Sequence, residues 1–403
     1  MKRIQNLVAV AFAVIFASTT CVLPAFSASK KTAKKEIPQT EGNLLVQKMR
    51  IGWNLGNTLD AWKDGQNNGL ESETCWEMPL TKPEMFTGLV KGGIKTVRIP
   101  ITWHNHLIDD KYTIDPAWMA RVKEVVGWAL DAGVYVIIND HHDTAKNENL
   151  SYGQGYYPTE KAKAESLRFL TRVWEQISSE FNNAYDDKLI FEIINEPRLV
   201  GHEREWWYDA NHPDCAKAQK IIVEYEEACI AKIRASGGKN ANRFIMVPGY
   251  VAQPWAAMAD SFRLPNDSAK DRLIISVHMY DPWTFAGEAP GDRKFTQKHK
   301  DNLKGTFEAL NNKFVSKGIP VVIGECGATN KNNLKDREAW FKFYFENAKA
   351  NGITAILWDN GVVEVGKDKN YSEHFGFYNR LTQQWFFPTL LKAAFEGIES
   401  AEK

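Results

Sequence analysis

The 403-residue chain has no surplus of either charge, few cysteines and, beyond its first segment, no long apolar run. Lysine plus arginine and aspartate plus glutamate number 50 each, so no basic excess holds a polyanion and nucleic acid is not an expected partner. Five cysteines without CxxC spacing make neither a disulfide framework nor a zinc site. Cys21 falls in the leading segment, and Cys215 and Cys229 are read as free thiols. No GxGxxG or GxxxxGK(S/T) follows an early apolar run, which argues against a nucleotide site, and no GxSxG elbow offers a serine nucleophile. HExxH is missing too. Adjacent histidines such as His141 and His142 would point to opposite sides of an extended strand, so no metal and no cofactor is expected.

The one sustained apolar run is at the start. Residues 1–27 carry Lys2 and Arg3, an apolar core over 7–17 and small residues before Ala28, the pattern of a secretory signal too short to span a membrane. Residues 28–42, rich in lysine and threonine, read as a disordered lead-in. The mature protein is expected to be a secreted monomer, free, surface-held or periplasmic.

What is present is a repeating pattern. Eight short apolar runs, 51–55, 96–99, 134–139, 189–194, 243–247, 273–277, 320–323 and 354–357, alternate with helical stretches, the clearest being 116–132, 161–181, 216–236, 300–317 and 337–351. Continuous rather than alternating apolarity marks strands covered on both faces. Eight such units over 43–397 predict one α/β domain, a closed (β/α)8 barrel, with a last helix over 380–396.

In that fold chemistry sits at the C-terminal ends of the strands. The residues just after the runs are Asn54, Arg98, His141 and His142, Asn195 and Glu196, Tyr250, His278 and Tyr280, Glu325, and Trp358. Two carboxylates on one rim point to acid/base and nucleophilic work on a glycosidic bond. Arg98 and Tyr280 near Glu325 would keep it ionised, and Glu196, with fewer cations close by, would stay protonated as the donor. Fourteen tryptophans are many. Trp128, Trp174 and Trp340 fall inside helical patterns and are assigned to packing, whereas Trp62, Trp76, Trp103, Trp206, Trp207, Trp255 and Trp283 fall in loops where they could stack on a polysaccharide.

Six segments, GWNLGNTLDAW (52–62), VRIP (97–100), VIINDHHD (136–143), IFEIINEPR (190–198), VHMYDPW (277–283) and VVIGECGA (321–328), together resemble the strand-end motifs of glycoside hydrolase family 5. They are most similar to its endo-β-1,4-glucanases, a group that includes xyloglucan- and mixed-linkage-glucan-active members. The resemblance covers about 43–396. It implies a retaining mechanism with Glu196 as acid/base and Glu325 as nucleophile, and a β-glucan as substrate. Asn54, Arg98, His141, His142, Asn195, His278, Tyr280, Trp283 and Trp358 would bind that substrate, with Asn195 on the sugar 2-OH. Two positions depart from the family pattern: Trp76-Glu77-Met78-Pro79 replaces Trp-Gly-Asn-Pro, and Cys326 replaces the usual Phe.

Overall fold

The eight apolar runs close into a barrel. The computed structural model describes residues 35–65, 67–363 and 373–403. Eight parallel strands pair there in chain order, the last returning to the first. They are β1 (Ile51–Asn54), β2 (Thr96–Ile99), β3 (Tyr135–Asn139), β4 (Leu189–Glu192), β5 (Ile245–Pro248), β6 (Leu273–His278), β7 (Val321–Cys326) and β8 (Thr354–Leu357). Helix α1 (Glu41–Met49) precedes β1. After it come α2 (Pro83–Lys91), α3 (Pro116–Asp131), α4 (Lys163–Glu180), α5 (Pro213–Ala235), α6 (Pro254–Met258), α7 (Trp283–Ala286), α8 (Gln297–Lys313), α9 (Leu334–Ala350) and α10 (Pro388–Glu402). Their limits follow local chemistry. Asp115 caps α3 through the Ala117 amide with Pro116 in the first turn, and α8 opens on a Thr296–His299 capping box.

Side chains two apart on a strand share a face, which gives the interior two layers. Ile137, Ile190, Met246, Ile274, Val322 and Ile356 form an apolar ring closed from below by Leu45, Val46 and Met49 of α1. Two residues further along the same strands stand Asn139, Glu192, Ser276 and Gly324, beside Asn54 and Arg98 of β1 and β2. The interior thus turns from oil to polar within one layer, and the polar layer carries the site.

Several expectations need correction. The signal segment over 1–27 and the lead-in up to residue 34 lie outside the described residues. From residue 35 the lead-in is ordered against the barrel: Lys35 Nζ donates to Asn351 Oδ1 at 2.8 Å, and Thr40 Oγ1 donates to the Gly318 carbonyl at 3.1 Å while also accepting from the Asn43 amide. Ile37 packs on the core, and an anchored apolar residue with a helix cap outweighs the lysine-rich composition. The helix expected over 380–396 starts only at Pro388 and runs to Glu402, because proline fits a first turn but not a helix interior. A hairpin of β9 (Tyr378–Asn379) and β10 (Gln384–Trp385) precedes it. Trp103 is fully buried with its Nε1 donating to the Asn139 carbonyl, so it is core rather than a stacking surface. Cys215 and Cys229 are free, as expected, since both lie on α5. Fourteen residues of helix separate them by about 21 Å. Among the described residues no helix is long and apolar enough to cross a membrane.

Candidate active site

The site is built outward from one buried guanidinium. Arg98, fully buried on β2, donates from Nε to Glu192 Oε2 at 2.7 Å, from Nη1 to Asn54 Oδ1 at 2.9 Å and Glu325 Oε1 at 2.8 Å, and from Nη2 to Asn195 Oδ1 at 2.6 Å. Removing a charge from water is costly unless partners replace the water. Two carboxylates and two amides do so, and with their help the pKa of Arg98 is raised despite its burial. Glu192 in turn accepts from Asn139 Nδ2 at 3.0 Å and Ser276 Oγ at 2.6 Å. Asn54 spends its other end on the Gly324 and Leu357 carbonyls. Asn54 was expected to touch substrate. Fully buried and bonded at both ends, it instead orients Arg98.

Above this layer stand the two carboxylates expected from the strand ends. Glu325 accepts from Arg98 on one oxygen and from the Tyr280 hydroxyl on the other at 2.8 Å. Strict alternation would turn Glu325 outward, because Gly324 faces the interior beside Glu192 and His278. The register slips between Ile323 and Cys326 on β7 and between Val277 and His278 on β6, the kind of irregularity that re-aims a side chain. Tyr280 keeps its proton, since burial and the neighbouring carboxylates Glu325 and Glu196 push its pKa well up.

Glu196 follows β4, and His278 Nδ1 lies 2.7 Å from its Oε1 and 3.6 Å from Glu325 Oε2. Atoms of Glu196, His278 and Glu325 lie within 4.8 Å of one another, so the carboxylates face each other across the imidazole. Burial pushes the Glu196 carboxyl up. The hydrogen bond and charge of His278, with Arg198 and His142, outweigh it and hold the pKa below its ordinary value. Burial opposes charge on His278, but Glu325 and Glu196 prevail and raise its pKa. The expectation that Glu196 lacks a nearby cation and stays protonated is therefore corrected: in the free protein the proton of this pair favours the imidazole. The contact joins the ends of β4 and β6, both paired to β5 between them, and spacing along the chain gives no sign of it.

The sequence profile described as Cellulase (glycosyl hydrolase family 5) matches residues 61–363. The chain belongs to that family. It is similar to an endoglucanase B of Ruminococcus albus, 41% identical over 90% of this chain and 82% of that protein. Among solved structures it resembles a family 5 lichenase from Caldicellulosiruptor sp. F32, with TM-score 0.85, 37% identity and coverage of 94% of this chain and 100% of the other. It also resembles a GH5-4 broad specificity endoglucanase from Ruminococcus champanellensis with bound cellotriose, with TM-score 0.80, 37% identity and coverage of 89% and 99%.

The remaining expected residues of this family 5 site divide into lining and rim. His141 is buried, its Nδ1 3.0 Å from Asn139 Nδ2 and its ring parallel to Trp358 at 5.7 Å. Burial and the nearby His142, Arg98 and His278 lower its pKa well below the usual range, so it is neutral, and accepting at Nδ1 leaves the proton on Nε2, 3.9 Å from Glu325. His142 is half-buried with Nε2 3.5 Å from Asp60, and its ring is 5.5 Å from Trp76. Both histidines lie past the end of β3, where strand alternation no longer applies, and their rings meet at 4.4 Å instead of facing opposite ways. Asp143 is drawn away from them to the amides of Trp103 and His104 and the His104 ring. Trp283 stands exposed at the rim, as do Trp206, Trp207 and Trp255.

Two groups could offer atoms to a metal near the cleft, Asp60 with His141 and His142, and Glu196 with His278 and Glu325. In the second a cation would have to displace the His278 proton beside the Arg98 guanidinium, which the local charge disfavours. A third group, His202, His212 and Asp214, lies apart from these. Its rings already accept backbone N–H groups on Nδ1, so each neutral ring keeps its proton on the Nε2 that a metal would need.

The residue that sequence reasoning passed over is Glu192. A glutamate inside the apolar run LIFEII, facing an arginine inside VRIP, is the available signal, since two charges on buried strands of one barrel must find each other.

Proposed function

We propose that this family 5 protein is a secreted, retaining endo-β-1,4-glucanase that cuts internal bonds of soluble or amorphous β-glucans. One observation carries the reading: Glu196 and Glu325 present oxygens within 4.8 Å of one another at the ends of β4 and β7. Retaining glycosidases hold their carboxyl groups about 5–5.5 Å apart, whereas inverting enzymes need about 6.5–9.5 Å to seat a water between them. Glu325 attacks the anomeric carbon as Glu196 delivers a proton to the leaving glycosidic oxygen, which leaves a glycosyl ester on Glu325. Glu196, now a base, takes a proton from water, the water attacks the same carbon, and Glu325 departs as a carboxylate.

The surrounding residues have separate duties. Arg98 and Tyr280 fix the Glu325 carboxylate for attack. Arg98 also holds the Asn195 carbonyl oxygen, which turns the Asn195 amide nitrogen toward a sugar 2-OH, a contact that strengthens in the transition state. His278 stores the proton that Glu196 must carry when substrate arrives and water leaves. Trp358, backed by the parallel ring of His141, offers an aromatic surface to the apolar face of a pyranose. The named activities of the endoglucanase and lichenase relatives support the substrate class and also leave room for mixed-linkage glucan, xyloglucan, xylan and mannan. Reducing-sugar release from carboxymethylcellulose, lichenan, xyloglucan, xylan and mannan tests the reading. Activity on the first two is expected; silence on every β-glucan with release from xylan or mannan would move the substrate class, and silence on all five would mean a carbohydrate-binding barrel without catalysis.

A further inference from the structure

Outside the cleft stands a buried ammonium with no carboxylate partner among the described residues. Lys331, in the segment joining β7 to α9, is fully buried and forms no ion pair among the described residues. Its Nζ donates to the carbonyls of Phe285 at 2.8 Å, Thr284 at 3.0 Å and Asp292 at 3.4 Å. Three N–H donors meeting three carbonyls is the full capacity of an ammonium. Burial pulls its pKa down to about 8, against the opposing charges of Asp292 and Glu288.

The acceptors are not scattered. Thr284 and Phe285 belong to α7, and the next carbonyl, Ala286, accepts from the Thr329 amide at 2.8 Å. The last carbonyls of a helix have no partners within it, and a single turn is too short to hold itself. Residues 329–331 therefore tie down the last carbonyls of α7, Thr284 sharing its acceptor with the Asp292 amide at 2.6 Å. The first residue of α7 is Trp283, which is 58% exposed. Its indole lies against the backbone of Gly287, where an added Cβ would come within 2.2 Å of the ring. The ring is thus backed by main chain at Gly287 while more than half of the residue is open to solvent. On the chain side, Tyr280, three residues earlier, is bonded to Glu325.

We propose that Lys331 is a positioning residue: by fixing the turn that bears Trp283 it presents the indole as a preset stacking surface for a sugar ring of the glucan chain. The proposal rests on the glucanase reading and deepens it by assigning a chain-binding surface and the internal cation that sets it. A preset surface loses less conformational freedom on binding than a mobile one, so the effect belongs in KM and not in the chemical step.

The test is a double-mutant cycle. KM and kcat are measured on soluble β-glucan and on cello-oligosaccharides of rising length for Lys331→Met, Trp283→Ala and the pair. Lys331→Met is expected to raise KM several-fold on long chains, as Trp283→Ala does, with kcat nearly unchanged and the double variant no worse than Trp283→Ala. Additive effects, or a fall in kcat at constant KM, overturn the proposal. Should Lys331→Met not fold, Lys331→Gln, which keeps two donors without the charge, replaces it in the cycle. Gly287→Ala, which displaces the ring without touching Lys331, must then raise KM in the same way, and an unchanged KM overturns the proposal. A wild type that cuts no β-glucan refutes the functional reading itself. A wild type that cuts it while the two substitutions act independently refutes only the role of Lys331.

Discussion

The two layers of the barrel interior are built from the same strands and obey opposite rules. Below, Ile137, Ile190, Ile274 and Val322 meet the α1 plug in an apolar layer where fit matters and charge is absent. One step up the same strands, Asn139, Glu192 and Ser276 join Arg98 in a layer where every polar group is claimed. The lower layer can be altered a little at a time. The upper one is coupled, so that removing one partner strands another.

That contrast can be broken or sharpened by substitution. The largest effect is expected from Glu325→Gln, which keeps the shape and the Arg98 contact but removes the proposed nucleophile. Its kcat on soluble glucan should fall roughly 10⁴-fold or more, with the melting temperature nearly unchanged, and wild-type turnover in this variant would refute its role. Next comes Glu192→Leu, which leaves the Arg98 charge buried without its nearest carboxylate. Urea unfolding should show about 3–5 kcal/mol lost, and activity should fall with it because Glu325 and Asn195 lose their anchor. Ile190→Ala in the lower layer should cost a comparable or smaller amount, about 2–5 kcal/mol, yet leave kcat near wild type at a temperature where the protein stays folded. If Ile190→Ala lowers kcat as Glu192→Leu does, the two layers are not distinct.

The smallest expected effect is a shift of pH dependence. The folded pKa of His278 is raised, so its contribution to stability is full below its ordinary value and fades as pH climbs through the raised one. The folded pKa of Glu196 is depressed, so its contribution is full above its ordinary value and is lost as pH falls through the depressed one. The pair therefore stabilises the fold most fully between about 4.5 and 6.5. With His278→Asn the stored proton is gone, and the alkaline limb of kcat/KM should move toward acid pH. An unmoved limb would show that His278 does not hold the proton Glu196 uses.

Much of this was legible in the chain. The eight strands form within a few residues of the apolar runs that announce them, because strands sheathed on both faces must be apolar throughout. Glu196 and Glu325 stand at two of their ends. What was not legible depends on contacts between distant segments. The His278–Glu196 pair joins residues 82 apart and reverses the protonation expected for Glu196. Glu325 faces inward only because the register slips beside it. Composition marked residues 35–42 as loose, but Ile37 and Thr40 find partners near Gly318 and Gly352 that no local signal reveals. Trp103 is indistinguishable in sequence from the exposed rim tryptophans and lies in the core.

The central claim is that two carboxylates less than 5 Å apart, spanned by one histidine, perform a double displacement. Proton NMR of a cello-oligosaccharide during the first minutes of hydrolysis, before mutarotation, tests it most directly. Retention predicts that the newly formed reducing end appears first as the β-anomer and drifts toward equilibrium. Initial appearance of the α-anomer would mean inversion and would contradict the account.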